Sequence, residues 1–293
     1  MSSVSKASIE IAAHSVPTTA VSEGRYYRRF TRAERIMHAL LMLSFVGLAL
    51  TGLPLLFSDK PWATVLARAL GGFQTAGILH RVCAFVMLVL FATHIVLIVR
   101  RAIVEKNILR ILWGPDSMVP QPQDAVDLYR NVKWFLGLGP RPQFDRWTYW
   151  EKFDYWAVFW GMAIIGGSGL LLWFPVFFAK FLPGWMFNIA ALVHGEEALL
   201  AVGFIFTFHF FNGHLRPEKF PMDTVVFTGR IPEHELKHER AVQYERLRRE
   251  GRLAAMEAPA PTLESRVFGW FVGGAALLLG IVAIVLIVYS VFH

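Results

Sequence analysis

The sequence predicts an all-α integral membrane protein, built as a bundle of four transmembrane helices followed by a fifth, C-terminal transmembrane helix. Of the 293 residues, 55% are hydrophobic and only 17% are charged, whereas soluble domains carry about 25% charged residues. Charged residues are sparse in five apolar windows, each long enough to cross about 30 Å of hydrocarbon as a helix. These windows cover residues 36–57, 78–101, 153–175, 188–211 and 267–290.

The segments between the windows define the predicted domains. Residues 1–24 are polar and small and lack the apolar centre of a secretory signal, so we expect a disordered N-terminal tail. Residues 25–215 form the four-helix core, which includes a cytoplasmic loop at 102–152. Residues 216–266 are a charged, helical cytoplasmic segment, and residues 267–293 form the additional transmembrane helix.

The distribution of Lys and Arg predicts the orientation in the membrane. Of the 29 Lys and Arg residues, 25 fall in residues 1–35, 100–152 and 212–266, which all lie on one side of a five-span chain. The positive-inside rule places that side, with the N-terminus, in the cytoplasm and the C-terminus outside. The net charge of +7 therefore reflects a membrane surface, and we expect membrane lipid and no nucleic acid among the partners.

Histidines inside the apolar windows are the main functional signal. A single histidine in a span is as often a hydrogen-bonding partner of a neighbouring helix as a functional group. Several together favour a shared role, because ionisable side chains in hydrocarbon are costly and are retained for function. Five of the ten histidines lie in the windows, namely His38, His80, His94, His194 and His209.

The spacing of these histidines indicates two sites at different depths. His80 and His94 are 14 residues apart, and His194 and His209 are 15 apart. Each pair shares one helix face and is separated by roughly 21–23 Å along the helix axis. This distance is too great for one metal ion, whose ligands lie about 2 Å away, but it suits two sites, one near each membrane surface.

Alternating span directions place His80 and His194 together near the outer surface. His209 lies near the inner surface, where its partner is either His38 or His94, and depth favours His38. Opposed imidazoles at equal depth provide the two axial ligands that b-type haem iron needs. The covalent attachment motif C-x-x-C-H is absent, so we expect two haem b groups held by coordination alone.

Five segments resemble the cytochrome b subunits of bacterial formate dehydrogenase (the gamma subunit) and nickel-iron hydrogenase. They are RAERIMHALLMLSFVGLALTG, GILHRVCAF, GSGLLLWFP, NIAALVHGEEA and FTFHF, and they lie in the first four spans. The resemblance implies a four-helix haem bundle whose iron ligands are His38, His80, His194 and His209. His94 is additional to the family pattern and competes with His38.

The resemblance also implies a function and a location. We expect a di-haem cytochrome b of the bacterial inner membrane, which transfers electrons between the quinone pool, menaquinone or ubiquinone, and a periplasmic redox subunit. That subunit would be a dehydrogenase, a hydrogenase or a multihaem cytochrome c. The sequence has no flavin, nicotinamide or molybdenum motif, so we expect an electron-transfer subunit without substrate chemistry of its own beyond quinone redox.

Polar residues near the predicted ligands are candidates for quinone binding or proton transfer. Glu151 and Asp154 open the third span, Glu196 and Glu197 follow His194, and His214 follows His209. Membrane anchoring and neutral hydrogen bonding are the alternative roles for these groups.

Two other functions are compatible with intramembrane histidines. Membrane di-metal enzymes of the desaturase type cluster histidines three or four residues apart near one surface, unlike the intervals of 14 and 15 here. A proton-coupled transporter or anchor subunit would use His and Glu as a relay, and then the matched depths would be accidental.

Overall fold

A computed structural model describes residues 24–217 and 219–293. Five helices in it are long and apolar enough to cross a membrane, and we number them span one to span five. They are Arg32–Leu56, Phe73–Glu105, Tyr149–Trp173, Trp185–Leu215 and Leu263–Phe292. Each overlaps the corresponding predicted window, so the all-α membrane fold is confirmed. The predicted N-terminal tail lies outside the described residues, except for Gly24.

Local sequence explains where spans one and three begin. Span one follows a capping box in which the Thr31 hydroxyl accepts a hydrogen bond from the backbone N–H of Glu34 at 3.3 Å. Span three repeats the motif with Thr148 and Glu151, again at 3.3 Å. The paired side-chain and backbone bonds satisfy N–H groups that the first turn of a helix leaves free.

The first four spans form a closed ring. Span one packs along span two, span two contacts span three, span three packs along span four, and span four returns to span one. Short helices at Pro61–Ala69 and Pro175–Phe178 connect the spans at one end of the ring. The ring positions side chains of spans two and four opposite each other.

Span five packs outside this ring, against span four, through a face of small residues. A Cβ atom on Gly280 would collide with the Phe206 ring of span four. At the other end of span five, the indole N–H of Trp62 donates to the Ser290 hydroxyl at 2.9 Å. The small buried residues of this face are Gly269, Gly273, Ala276, Gly280 and Ala283.

At the end of the ring opposite the short connecting helices, the chain folds into an extramembrane layer. Strand β1 (Tyr26–Arg28) lies between β2 (Arg230–Pro232) and β3 (Glu257–Ala258), and both pairings are antiparallel. The sequence pattern did not predict this small sheet. Its helices are Ile108–Trp113, Pro122–Phe135, Val225–Thr228, Glu233–Glu239 and Ala241–Arg249. Its apolar core consists of Tyr27, Val225, Ile231, Leu236 and Tyr244.

The buried guanidinium of Arg29 joins three segments of this layer. It donates to the Arg146 carbonyl at 2.6 Å and pairs with the Glu151 carboxylate at 3.4 Å, which Arg240 also binds at 2.9 Å. Burial and the neighbouring Arg240 lower the pKa of Arg29 to about 9, so the side chain stays charged at neutral pH. The N-terminal segment, the start of span three and the segment after span four therefore lie on one side, as five alternating spans require.

We predict that Arg29→Ala destabilises the layer by about 3 kcal/mol, the lower end of the cost of breaking a buried ion pair. The cost stays at the lower end because Arg240 still faces Glu151. Thermal unfolding in detergent measures the change. The matched control is Arg25→Ala, because the Arg25 side chain is 64% exposed and lies 3.6 Å from Glu233, where a loss under about 1 kcal/mol is expected. Equal stability of the two variants would contradict the prediction.

Candidate functional site

His80 of span two and His194 of span four face each other inside the ring. Their ring centroids are 6.2 Å apart and their planes cross at 77°. If one metal ion bound both imidazoles, the distance between their ring centroids would be the sum of two metal–nitrogen bonds of about 2 Å each and two nitrogen-to-centroid distances. That sum is roughly 6 Å. The spacing therefore suits a single metal ion between the two imidazoles, with one ligand on each side.

Hydrogen bonds from neighbouring helices fix the Nδ1 atoms of both histidines. His194 Nδ1 lies 3.0 Å from the Ile165 carbonyl, which only accepts, so Nδ1 carries the proton. His80 Nδ1 lies 3.1 Å from the Thr51 hydroxyl, which already donates to the Gly47 carbonyl at 2.6 Å. In both rings Nε2 is consequently the unprotonated nitrogen, the form that a metal ligand requires.

Glycines let the neighbouring helices approach these imidazoles. A Cβ atom at Gly52 would lie 3.0 Å from His80 Cε1, and one at Gly169 would lie 3.0 Å from His194 Cε1. Each glycine follows the hydroxyl residue that contacts the same imidazole, Thr51 or Ser168. Spans one and three thus hold the two histidines in the same way from opposite sides.

A second histidine of span four lies close to the extramembrane layer. His209 Nδ1 is 2.9 Å from the Asp154 carboxylate of span three, so this imidazole also directs Nε2 away from its hydrogen-bonding partner. The turn Ile205–His209 is a π-helix, which accommodates one extra residue. The 15-residue interval from His194 to His209 therefore becomes equivalent to the 14-residue interval between His80 and His94.

The structure separates the two candidates for the partner of His209. His38 is partly buried in the second turn of span one, at the layer end of the ring, where His209 also lies. His94 instead has its Nε2 atom 2.8 Å from the hydroxyl of Tyr155, and its ring packs against Phe159. The hydrogen bond to Tyr155 therefore engages Nε2 of His94, whereas His80, His194 and His209 are bonded at Nδ1.

Several buried side-chain nitrogens at the layer end of the ring have no hydrogen-bond partner among the described residues. They belong to side chains at the ends of spans one and four and in the layer. A bound group with anionic oxygens would satisfy such donors. The atoms are Arg35 Nε, His214 Nδ1, Arg216 Nε and Arg240 Nη1.

The other acidic candidates have different surroundings. Both oxygens of Glu151 are engaged, by the cap of span three and by Arg29 and Arg240. Glu197 accepts a hydrogen bond from the Trp160 indole at 3.2 Å, and Glu196 is exposed on the surface of span four. Because both follow His194 directly, they lie far from the layer.

Sequence reasoning missed the partners of the imidazoles, namely Thr51, Ser168, the Ile165 carbonyl and Tyr155. A signal for two of them was present. A hydroxyl residue directly before glycine occurs in both span one and span three, as Thr51-Gly52 and Ser168-Gly169. The carbonyl contact has no sequence signature, because it depends on the π-helical turn Met162–Gly166.

Within the described residues, no group of three or more His, Cys, Asp or Glu side chains is arranged to hold a metal ion. A di-metal centre of the desaturase type needs such a group. Two facing imidazoles suit an iron whose remaining four ligands come from a macrocycle.

Comparison with known proteins identifies the family. The model of the family "prokaryotic cytochrome b561" matches residues 29–215. The chain belongs to this family. It is also 25% identical, over 175 residues, to the formate dehydrogenase cytochrome b556(fdo) subunit of Escherichia coli strains K12, O6:H1 and O157:H7. The match covers 59% of this chain and 72% of each relative.

Membership of the cytochrome b561 family makes the chain a multi-pass membrane cytochrome of bacterial electron transport, with haem b as its cofactor. The expected resemblance to formate dehydrogenase cytochrome b subunits is confirmed. The residues present fit haem, since His80 and His194 stand at the separation of two axial ligands with Nδ1 of each ring fixed. The family match ends at the last residue of span four, so the layer segment after span four and span five lie beyond it.

We predict that His80→Ala and His194→Ala each remove the same haem. The two histidines face each other in the half of the ring away from the layer, so the loss of either one would leave the haem iron without one of its ligands. Redox difference spectra of each purified variant measure this effect. Loss of two spectrally different haems from the two variants would show that the pairing is wrong.

We predict that His38→Ala removes or converts the inner haem, whereas His94→Ala leaves both haems bound with modest shifts. The reason is that His94 is hydrogen-bonded to Tyr155, whereas His38 lies at the same end of the ring as His209. Potentiometric titration of the two variants measures the outcome. The opposite result, loss with His94→Ala and retention with His38→Ala, would assign the inner ligand to span two.

Proposed function

We propose that this chain is a di-haem cytochrome b that carries electrons across the membrane between a quinone and a redox partner on the outer face. His80 and His194 hold the outer haem, and His38 and His209 hold the inner haem. The observation that most directly supports this proposal is the distance of 6.2 Å between the ring centroids of His80 and His194. Haem iron accepts and releases one electron at a time, so two haems at two depths form a path across the bilayer.

The protein's own contribution is to fix the ligands. In hydrocarbon, an imidazole that lost its Nδ1 partner would rotate or bind another group, since no water replaces the hydrogen bond. The helical partners Thr51, Ile165 and Asp154 hold the three rings in place. These hydrogen bonds keep Nε2 of each imidazole directed into the helix bundle, with the lone pair of that nitrogen free.

The quinone site is proposed at the layer end, beside the inner haem. A quinone headgroup needs a hydrogen-bond donor and a route for protons. His214 supports this placement, since its buried Nδ1 has no partner among the described side chains, and Asp154 lies in contact with His209. Glu151 serves the layer instead, and Glu196 and Glu197 lie at the level of the outer haem. The quinone is menaquinone or ubiquinone.

The orientation follows from charge. The layer end carries most of the Lys and Arg residues, and the positive-inside rule places it in the cytoplasm. The outer haem then faces the periplasm, where the partner docks. The relatives are cytochrome subunits of a formate dehydrogenase, which favours a dehydrogenase as this partner. A hydrogenase and a multihaem cytochrome c are the alternative partners.

We predict two haem b groups per chain. Pyridine haemochrome analysis of the purified protein measures the ratio. A ratio near one would mean that only the outer site binds haem, and a ratio near zero would overturn the proposed function. A value near three would give His94 a site of its own.

The quinone part of the proposal is tested in proteoliposomes that contain the purified cytochrome. Addition of a short-chain quinol should reduce the haems within the mixing time, and His214→Phe should slow this reduction while both midpoint potentials stay unchanged. Unchanged rates in the variant would remove His214 from the site. A wild-type protein whose haems dithionite reduces but quinol does not would overturn the quinone assignment.

A further inference from the structure

We propose that Asp154 is a positioning residue that lowers the reduction potential of the inner haem through its hydrogen bond to His209. The inference rests on the proposed function, because it takes His209 as a ligand of that haem. It concerns a difference between the two haem sites, which have the same number of histidines but different hydrogen-bonding partners at Nδ1.

The two sites differ in what accepts the Nδ1 proton. At the outer site the acceptors are neutral, namely the Thr51 hydroxyl at 3.1 Å from His80 and the Ile165 carbonyl at 3.0 Å from His194. At the inner site the acceptor is the carboxylate of Asp154, 2.9 Å from His209. The outer haem thus has two neutral partners, whereas the inner haem has a charged one.

A carboxylate partner changes the imidazole chemically. It draws the Nδ1 proton toward itself and makes Nε2 a stronger electron donor, the effect described for carboxylate–histidine–metal triads. A stronger donor stabilises ferric iron more than ferrous iron, so the reduction potential falls. Hydrogen bonding around the iron is one of the recognised determinants of haem potential.

The charge of Asp154 is not neutralised by a basic side chain. Among the described residues, its ion-pair contact is with His209 and not with a Lys or Arg. Glu151, one helical turn earlier on the same span, shows the contrast, because Arg29 and Arg240 both bind its carboxylate. Asp154 is 18% exposed on its side chain, so the solvent screens its interaction with His209 only in part.

The neighbouring residue reinforces the fixed position of Asp154. Tyr155 bonds His94 of span two at 2.8 Å, while Asp154 bonds His209 of span four. Two consecutive residues of span three therefore contact the two helices that flank it, and this sets the rotation of span three about its axis. The rotation of the helix therefore directs the Asp154 carboxylate toward His209.

The experiment is a potentiometric titration of the full-length, haem-loaded chain and of three variants. Asp154→Asn keeps the shape and removes the charge. Asp154→Glu keeps the charge and lengthens the side chain. Thr51→Val is the matched control, because it removes the Nδ1 partner of an outer ligand, His80, and keeps its shape.

The expected result is a positive shift of one haem in Asp154→Asn, with the other haem unchanged. A tenfold loss of preference for ferric iron would appear as a shift of about 59 mV. Thr51→Val should shift the other haem, and Asp154→Glu should stay nearer to the wild type than Asp154→Asn. The low-temperature EPR signal of the shifted haem should move as well, because it reports the donor strength of the axial imidazole.

Two outcomes would overturn the inference while two haems remain bound and the proposed function stands. One is an Asp154→Asn protein with both potentials unchanged, and the other is a shift of the same haem that Thr51→Val shifts. If Asp154→Asn loses the inner haem, the Asp154→Glu variant tests the inference instead. An inner-haem potential equal to that of the wild type in Asp154→Glu supports the inference, and a raised potential opposes it. A wild-type protein without haem overturns the proposed function itself.

Discussion

The hydrogen bond at Nδ1 of each inward-facing histidine is the interaction on which the site depends. Within hydrocarbon no water competes for this atom, so one helical partner is enough to set the tautomer and the ring direction. His80 depends on span one, while His194 and His209 both depend on span three. Spans two and four carry these three histidines, and spans one and three determine how their imidazoles are oriented.

This division of roles explains the irregular geometry of spans three and four. The π-helical turn Met162–Gly166 includes the Ile165 carbonyl that His194 bonds, and the turn Ile205–His209 brings His209 to the inner side of span four. Such π-turns recur at functional sites because they reorient a few side chains without ending a helix. Phe206 in the second turn is packed at Gly280 of span five, so the fifth helix supports the turn from outside the ring.

Hydropathy and histidine spacing were sufficient to predict the spans and the facing pair. Both are strong signals, because hydrocarbon penalises charge over a whole span and a helix repeats its faces at a fixed interval. The partners Thr51 and Ser168 were missed because a hydroxyl in a helix also bonds its own backbone one turn earlier. Both residues make that bond as well, to Gly47 and to Ile164, so their sequence pattern is that of ordinary helix residues.

The layer could not be predicted for a different reason. Its strands are two or three residues long and lack an alternating apolar pattern, and the partners of β1 lie about 200 residues away along the chain. The positive charge that indicated a solvated surface is in part buried, as Arg29 shows. Arginines that pair with acidic residues across the layer look, in sequence, like arginines that face lipid headgroups.

The position of β1 at the centre of the sheet has a consequence for biogenesis. Its neighbours end at Pro232 and Ala258, so β1 cannot complete the sheet until the ribosome has delivered the chain as far as Ala258. The layer then closes only five residues before the last membrane helix begins at Leu263. Until that moment the layer does not cover the adjoining ends of the first four helices, which leaves that end of the bundle open to an entering prosthetic group. Contacts of such high sequence separation form late, and here their lateness leaves the bundle accessible while it is being assembled.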